Sequence, residues 1–229
     1  MRIGFLLYPQ LTQLDLTGPA QLLSRLPGAD VHYVAATLAP VMSDCALALV
    51  PTATFASCPP LDFVCVPGGY GCTDAMGDDA LLAWLRAQGA RAAWVTSVCT
   101  GSLVLGAAGL LEGYSAACHW AWGDQLPLFG ATWDRSRVVV DRNRITGAGV
   151  TAGLDFALHV TARLAGRDMA DRLRLTLEYD PQAAPGGTPA TARPEILAAA
   201  RAAMAERLEA RRAAIAAAAA RYAAGRAAA

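Results

Sequence analysis

The chain has 229 residues, 55% hydrophobic and 17% charged, which is enough for one large α/β domain with a sizeable core and an appendage. Its 19 basic and 19 acidic side chains leave no formal net charge, which argues against a general attraction to nucleic acid or to an anionic membrane. The apolar run in MRIGFLLYPQ stops at Pro9 without a cleavage site, and no unbroken apolar stretch reaches the ~18 residues of a membrane span, so a cytoplasmic protein is expected.

In chain order, residues 2–8 (RIGFLLY) form the continuous apolar run of a buried parallel strand. Thr17-Gly18-Pro19 then opens a predicted helix through Leu26, with Thr17 as N-cap and Pro19 in the first turn. A strand follows at 31–36 (VHYVAA), then an irregular hairpin over 41–50 and a loop around Pro59-Pro60. Strand 63–66 (FVCV) runs straight into Pro67-Gly68-Gly69. Helix 79–88 leads to strand 92–98 (AAWVTSV), with Cys99 at its carboxyl end. Helical spacing from Thr100 to Leu110 stops at Gly113. Short strands near 114–118, 137–141 and 144–147 precede helices from Thr151 to Leu164 and over 167–178.

Strands and helices alternating in this way imply a doubly wound, flavodoxin-like parallel sheet with helices on both faces. The α/β domain is expected over residues 1–180, followed by a Pro/Gly/Ala linker at 181–193 and a C-terminal helical extension at 194–229. In the helical part, 194–224, Leu197, Met204, Leu208, Ile215 and Tyr222 share one narrow sector at ~100° per residue. A stripe this narrow suits a partner surface rather than a core of its own, so a homodimer is expected.

Six cysteines (Cys45, Cys58, Cys65, Cys72, Cys99, Cys118) lack CxxC spacing, and with no export signal they read neither as zinc ligands nor as disulfides. No His, Asp and Glu cluster suggests a metal. Most of these thiols should be small buried hydrophobes. Cys99 differs, because the turn Ser97-Val98-Cys99-Thr100-Gly101-Ser102 joins a strand to a helix start. Such a turn aims the side chain into the crevice, and free N–H groups there stabilise a thiolate. Cys99 is thus expected to alkylate ahead of the other thiols. Pro67-Gly68-Gly69-Tyr70-Gly71 matches no nucleotide-binding fingerprint, but its glycines allow an N–H to face Cys99 and, with the N–H of Thr100, to stabilise developing charge. Asp15, an acid between Leu14 and Leu16, reads either as a helix-start residue or as a proton donor and acceptor facing Cys99. His119 is equally a base in a Cys–His pair or a satisfied buried polar group. His32 and His159 read as structural. Asp15, Gly68-Gly69 and Cys99 each follow a predicted strand, at the sheet edge where doubly wound folds place their sites.

The segments LDLTGP, VPGGYG, SVCTGSLVLGAAGLLEG, CHW and TGAGVTAGLDFALH resemble the ThiJ/PfpI superfamily, most closely its isocyanide-hydrating branch. The resemblance runs from the first strand through LEYDP at 177–181 and on through the tail. It implies a homodimer that needs no cofactor and converts R–N≡C to an N-formamide. Cys99 would be the nucleophile and Asp15 the general acid–base. Thr100 would lie beside them, with Gly68 and Gly69 as the facing turn and Val150 and Thr151 in the segment before the next helix. Glyoxalase-like relatives carry Glu at the position of Asp15, so the shorter acid favours hydration. Ala117 and Cys118 stand where threonines are common. The runner-up is a sensor like those that precede helix-turn-helix domains in transcription regulators, for which the 50 or so residues after the α/β domain look too short. A glyoxalase-like or redox role for Cys99 comes third.

Overall fold

The computed structural model describes residues 1–182 and 186–227; residues 183–185 of the expected linker and the last two of the expected extension lie outside the described residues. The chain begins with β1 (Arg2–Leu6), α1 (Gln13–Leu23) and β2 (Asp30–Ala35), followed by a small antiparallel pair, β3 (Val41–Met42) and β4 (Ala48–Leu49). Next come β5 (Ala53–Thr54), β6 (Phe63–Val66), α2 (Cys72–Ala75), α3 (Asp79–Gly89), β7 (Trp94–Val98) and α4 (Gly101–Ala107). Beyond these lie β8 (Ser115–Ala116), a 3₁₀ helix over Gly123–Phe129, β9 (Thr132–Trp133), β10 (Val138–Asp141) and β11 (Arg144–Gly147). Three helices end the chain: α5 (Ala152–Ala165), α6 (Arg167–Thr176) and α7 (Pro194–Ala227).

The main sheet runs in the order β10-β11-β7-β6-β1-β2-β5. Its central strands are apolar without alternation because both faces are covered: β6 is wholly buried, and β1 and β7 are buried after their first residues. Neighbouring strands are parallel except at one edge, where β10 and β11 pair antiparallel. That exception follows from connection length. Asp141 pairs with Arg144 across a two-residue turn with Arg142 at φ 54°, far too short for a parallel crossover. α1, α5 and α6 pack together, while α3, α4, α2 and α7 form a second group, as right-handed crossovers on opposite faces require.

Two expectations need correction. The helix predicted to open at Thr17 begins at Gln13, so Asp15 lies within its first turn and Thr12 holds the N-cap position. The Thr17 hydroxyl donates to Gln13 Oε1 at 2.8 Å instead of capping. Gly18 and Pro19 serve packing: a methyl group at Gly153 of α5 would lie 3.2 Å from Pro19 Cδ, and one at Gly18 would lie 3.6 Å from Leu154. Periodicity missed this because a proline signals a helix start only when nothing else rewards it deeper in the helix. The second correction concerns the tail stripe, whose second half packs on its own domain while Leu197 and Met204 stay outside that packing. Ile215 and Ala218 are buried, Leu208 and Tyr222 rest against the core, and α7 lies against α2, α4 and the 3₁₀ helix.

Candidate active site

The chain reverses direction across the sheet between β1 and β6, so the loops after β1, β6 and β7 meet outside their carboxyl ends. Cys99 follows β7 directly, at φ 61°. A non-glycine residue held in the left-handed region costs of order 1–3 kcal/mol, and here Cys99 N–H donates to Gly147 O at 3.0 Å while α4 starts two residues on. Gly101 completes the elbow, since any side chain there would run into the Val66 carbonyl.

Asp15 is completely buried, and its Oδ2 accepts the Gly68 N–H at 2.9 Å. Cys99 lies close enough to favour the ionised form of this carboxyl. Its Oδ1 has no partner among the described residues. Burial raises the carboxyl pKa from 3.8 to about 7, outweighing the Gly68 N–H and Cys99, which lower it; the Asp44 charge adds to the rise. Burial also pushes the Cys99 thiol well above its ordinary value, helped by the Asp15 charge and opposed by the Thr100 N–H. Burial and the Asp15 charge thus work against the thiolate that the helix start favours. Desolvation opposes ionisation of the thiol, and a neighbouring carboxyl titrating near neutrality can take its proton. Cys99 is 5% exposed, whereas Cys45 is exposed.

Gly68 sits between the two partners: a methyl group on it would lie 2.5 Å from Thr100 N, 2.6 Å from Thr100 Oγ1 and 2.9 Å from Asp15 Oδ2. The next N–H, of Gly69, donates to Thr100 Oγ1 at 3.0 Å. Both N–H groups of the turn are thus engaged in holding Asp15 and Thr100 rather than pointing at open space beside the sulfur. Thr100 itself is buried.

His119 is half-buried. Its Nδ1 accepts the Ala121 N–H at 3.3 Å, which leaves the ring proton on Nε2, and its Cδ2 would lie 3.6 Å from a methyl group on Gly149. Burial, then the charge of Arg211, lowers its pKa to about 4. A neutral imidazole so weakly basic suits the satisfied-polar reading better than a Cys–His base. Val150 packs partly buried against the core. Thr151, just before α5, is exposed and accepts from Arg137 Nη2 at 3.2 Å. These contacts put Thr151 in a cleft of about 620 Å³ with Arg137, Asp155 and Tyr179, whose lining does not include Cys99. Among the described residues no group of three or more His, Cys, Asp or Glu is placed to hold a metal ion, and no helix is long and apolar enough to cross a membrane.

Sequence reasoning missed Arg211. It is 6% exposed on α7 and donates to the Gly69 carbonyl at 2.9 Å and the Tyr70 carbonyl at 3.0 Å. A signal was present: position 211 falls on the same face as Leu208 and Ile215, a charge inside an apolar stripe.

The fold and this cysteine elbow define the class: residues 1–163 match the DJ-1/PfpI family, and the chain belongs to it. An isonitrile hydratase from Pseudomonas putida is 54% identical over 181 residues, 79% of each chain. A crystal structure of a ThiJ/PfpI family protein from Pseudomonas syringae superposes with a TM-score of 0.91 at 46% identity, covering 93% of this chain and 90% of that one. That coverage includes part of the 34-residue α7. The HTH-type transcriptional regulator GbdR of Pseudomonas aeruginosa is 30% identical over 189 residues, and the chain spans 50% of its length.

Proposed function

We propose that the protein hydrates isocyanides to N-substituted formamides, with Cys99 as nucleophile and Asp15 as the proton carrier. The pairing of a buried thiol with a carboxyl titrating near 7 carries the chemistry. The likeness to an isonitrile hydratase at 54% identity supplies the substrate class, and it outweighs the 30% likeness to a transcription regulator that suggests a sensor.

The steps balance without an electron carrier, since hydration adds the elements of water. Asp15 carboxylate takes the Cys99 proton as the sulfur attacks the terminal carbon of R–N≡C. The S–C bond forms, one C–N π bond opens, and the carbon lone pair receives the proton from Asp15. This gives the thioimidate R–N=CH–S–Cys99. Asp15, again ionised, then removes a proton from water as its oxygen adds to that carbon, and the nitrogen takes a proton. Collapse of the tetrahedral adduct expels the Cys99 sulfur, which recovers its proton, and releases R–NH–CHO. Thr100 and the Gly68-Gly69 turn keep the carboxyl and the sulfur in register. A homodimer and a cytoplasmic location belong to the same reading, drawn from the family likeness.

Purified protein mixed with an aryl isocyanide should yield the N-formamide, followed by chromatography. Intact mass during turnover should show protein plus one isocyanide. Absence of formamide with a folded protein would remove the reading and leave the sensor.

A further inference from the structure

The turn that holds Asp15 and Thr100 is itself held from α7. Each of its peptide groups has a fastening. The Pro67 carbonyl accepts from the Tyr8 hydroxyl at 2.6 Å, and the Gly68 carbonyl accepts from the Thr12 N–H at 2.9 Å. The next two carbonyls, of Gly69 and Tyr70, receive only marginal bonds from the rest of the α/β domain among the described residues. The Cys72 N–H and the Thr100 hydroxyl each reach Gly69 O at 3.4 Å, and the Thr73 N–H reaches Tyr70 O at 3.4 Å. Arg211 supplies the short bonds to both, and its Nε donates to Thr73 Oγ1 at 3.0 Å. Its guanidinium lies 4.6 Å from the Trp122 ring centre, and Arg207 lies 4.2 Å over the ring of Tyr70 on the outer side.

A buried guanidinium is expensive unless its donors are matched, and hydrogen bonds from a charged donor are about twice as strong as neutral ones. Here the matching partners are the backbone of the catalytic turn. Displacing Arg211 would therefore free the two carbonyls and, through the same peptides, loosen the N–H groups on the opposite side of the turn.

We propose that Arg211, brought in from 142 residues away in sequence, is a positioning residue: it locks the Gly69 and Tyr70 carbonyls and so holds the turn's N–H groups against Asp15 and Thr100, making α7 part of the catalytic unit. The effect on turnover rests on the hydration reading above; the effect on the site does not. Asp15 is faced by Tyr8, Cys65, Cys72, Cys99 and Asp44, and the groups that feel the Arg211 charge are Tyr8, Cys72, Cys118 and His119. Arg211 thus acts on Asp15 through the Gly68 hydrogen bond rather than by direct charge. Loosening that bond moves the Asp15 titration upward from about 7.

The test compares full-length wild type, Arg211→Met and Arg211→Lys in two assays. One is formamide production from an aryl isocyanide. The other is the pH dependence of Cys99 alkylation by iodoacetamide, read by peptide mapping. Arg211→Met should lose roughly 10- to 100-fold in kcat with KM little changed, and its alkylation titration should move to higher pH. Arg211→Lys, a point charge able to serve one carbonyl at a time, should recover part of both. A merely structural role would lower the folded fraction while leaving kcat per folded molecule and the titration in place. That outcome, or wild-type kcat and titration in Arg211→Met, overturns the proposal. Should Arg211→Met not fold, Arg211→Lys decides: reduced kcat with a raised titration supports the proposal, and wild-type values in both overturn it. If wild type itself makes no formamide, the hydration reading fails, while the alkylation titration still tests Arg211.

Discussion

Asp15 lies in the first turn of a helix, where the macrodipole favours a carboxylate, yet its pKa is raised to about 7 because no water reaches it. This has a consequence for stability. A folded-state pKa above the unfolded one means that the folded chain holds the extra proton between pH 3.8 and about 7. Stability from this group is therefore full at low pH and is lost as pH rises through that window, by on the order of 4 kcal/mol at most. His119 works in the opposite direction: its pKa, lowered from 6.5 to about 4, makes stability rise with pH between those values. Asp15→Asn removes only the first contribution. Urea unfolding should find this variant gaining on wild type from pH 4 to 7 and holding the gain at pH 8; a pH-independent difference would refute the raised pKa. In turnover, Cys99→Ala should be inactive, because no other group can form the covalent intermediate. Asp15→Asn should lose roughly two to four powers of ten. Asp15→Glu, with its carboxyl about an ångström out of place, should lose about a hundredfold. Near-normal formamide production by Cys99→Ala would refute the covalent route.

At the scale of elements, the site is a strand-to-helix elbow facing a glycine turn, and the turn has no spare room. Gly68→Ala would place a methyl group 2.5 Å from Thr100 N and 2.9 Å from Asp15 Oδ2, so one of them must move. Activity should fall by about a hundredfold or more while circular dichroism stays native, since the clash is local; an active Gly68→Ala would mean that the turn does not position the pair. α7 makes a separate prediction. Ile215 is fully buried against the domain, so Ile215→Ala should cost about 2–5 kcal/mol in urea unfolding, in the same transition as the sheet domain. A loss near zero would mean that the helix is not docked there. The element pattern was largely legible in advance: β6 has the residues expected, and α3, β11 and α5 lie within a residue or so of expectation. The two-residue strands β5 and β9, α2 and the 3₁₀ helix were not, because pieces this short carry no period of their own and form only where the neighbouring chain offers a partner.

Across the whole molecule, the stripe on α7 was the reason drawn from the sequence for expecting a homodimer, and its second half, from Leu208 to Tyr222, is covered by its own domain, while Leu197 and Met204 lie outside that packing. The family likeness also motivates a dimer, and light scattering on the full chain should give twice the monomer mass; a monomer at micromolar concentration would remove that part of the reading. By itself the sequence determined the α/β alternation, the convergence of Asp15, Gly68-Gly69 and Cys99, and the family. These follow from apolar runs, glycine placement and short motifs, all of which are local properties of the chain. Only the tertiary structure decided that burial pushes the Cys99 thiol pKa up, that Asp15 titrates near 7, that the turn's N–H groups are engaged by Asp15 and Thr100, and that Arg211 reaches the turn from α7. The reason is physical. Desolvation and hydrogen-bond partnership depend on what the rest of the chain brings within a few ångströms, and no window of sequence around Cys99 contains a residue 112 positions further on.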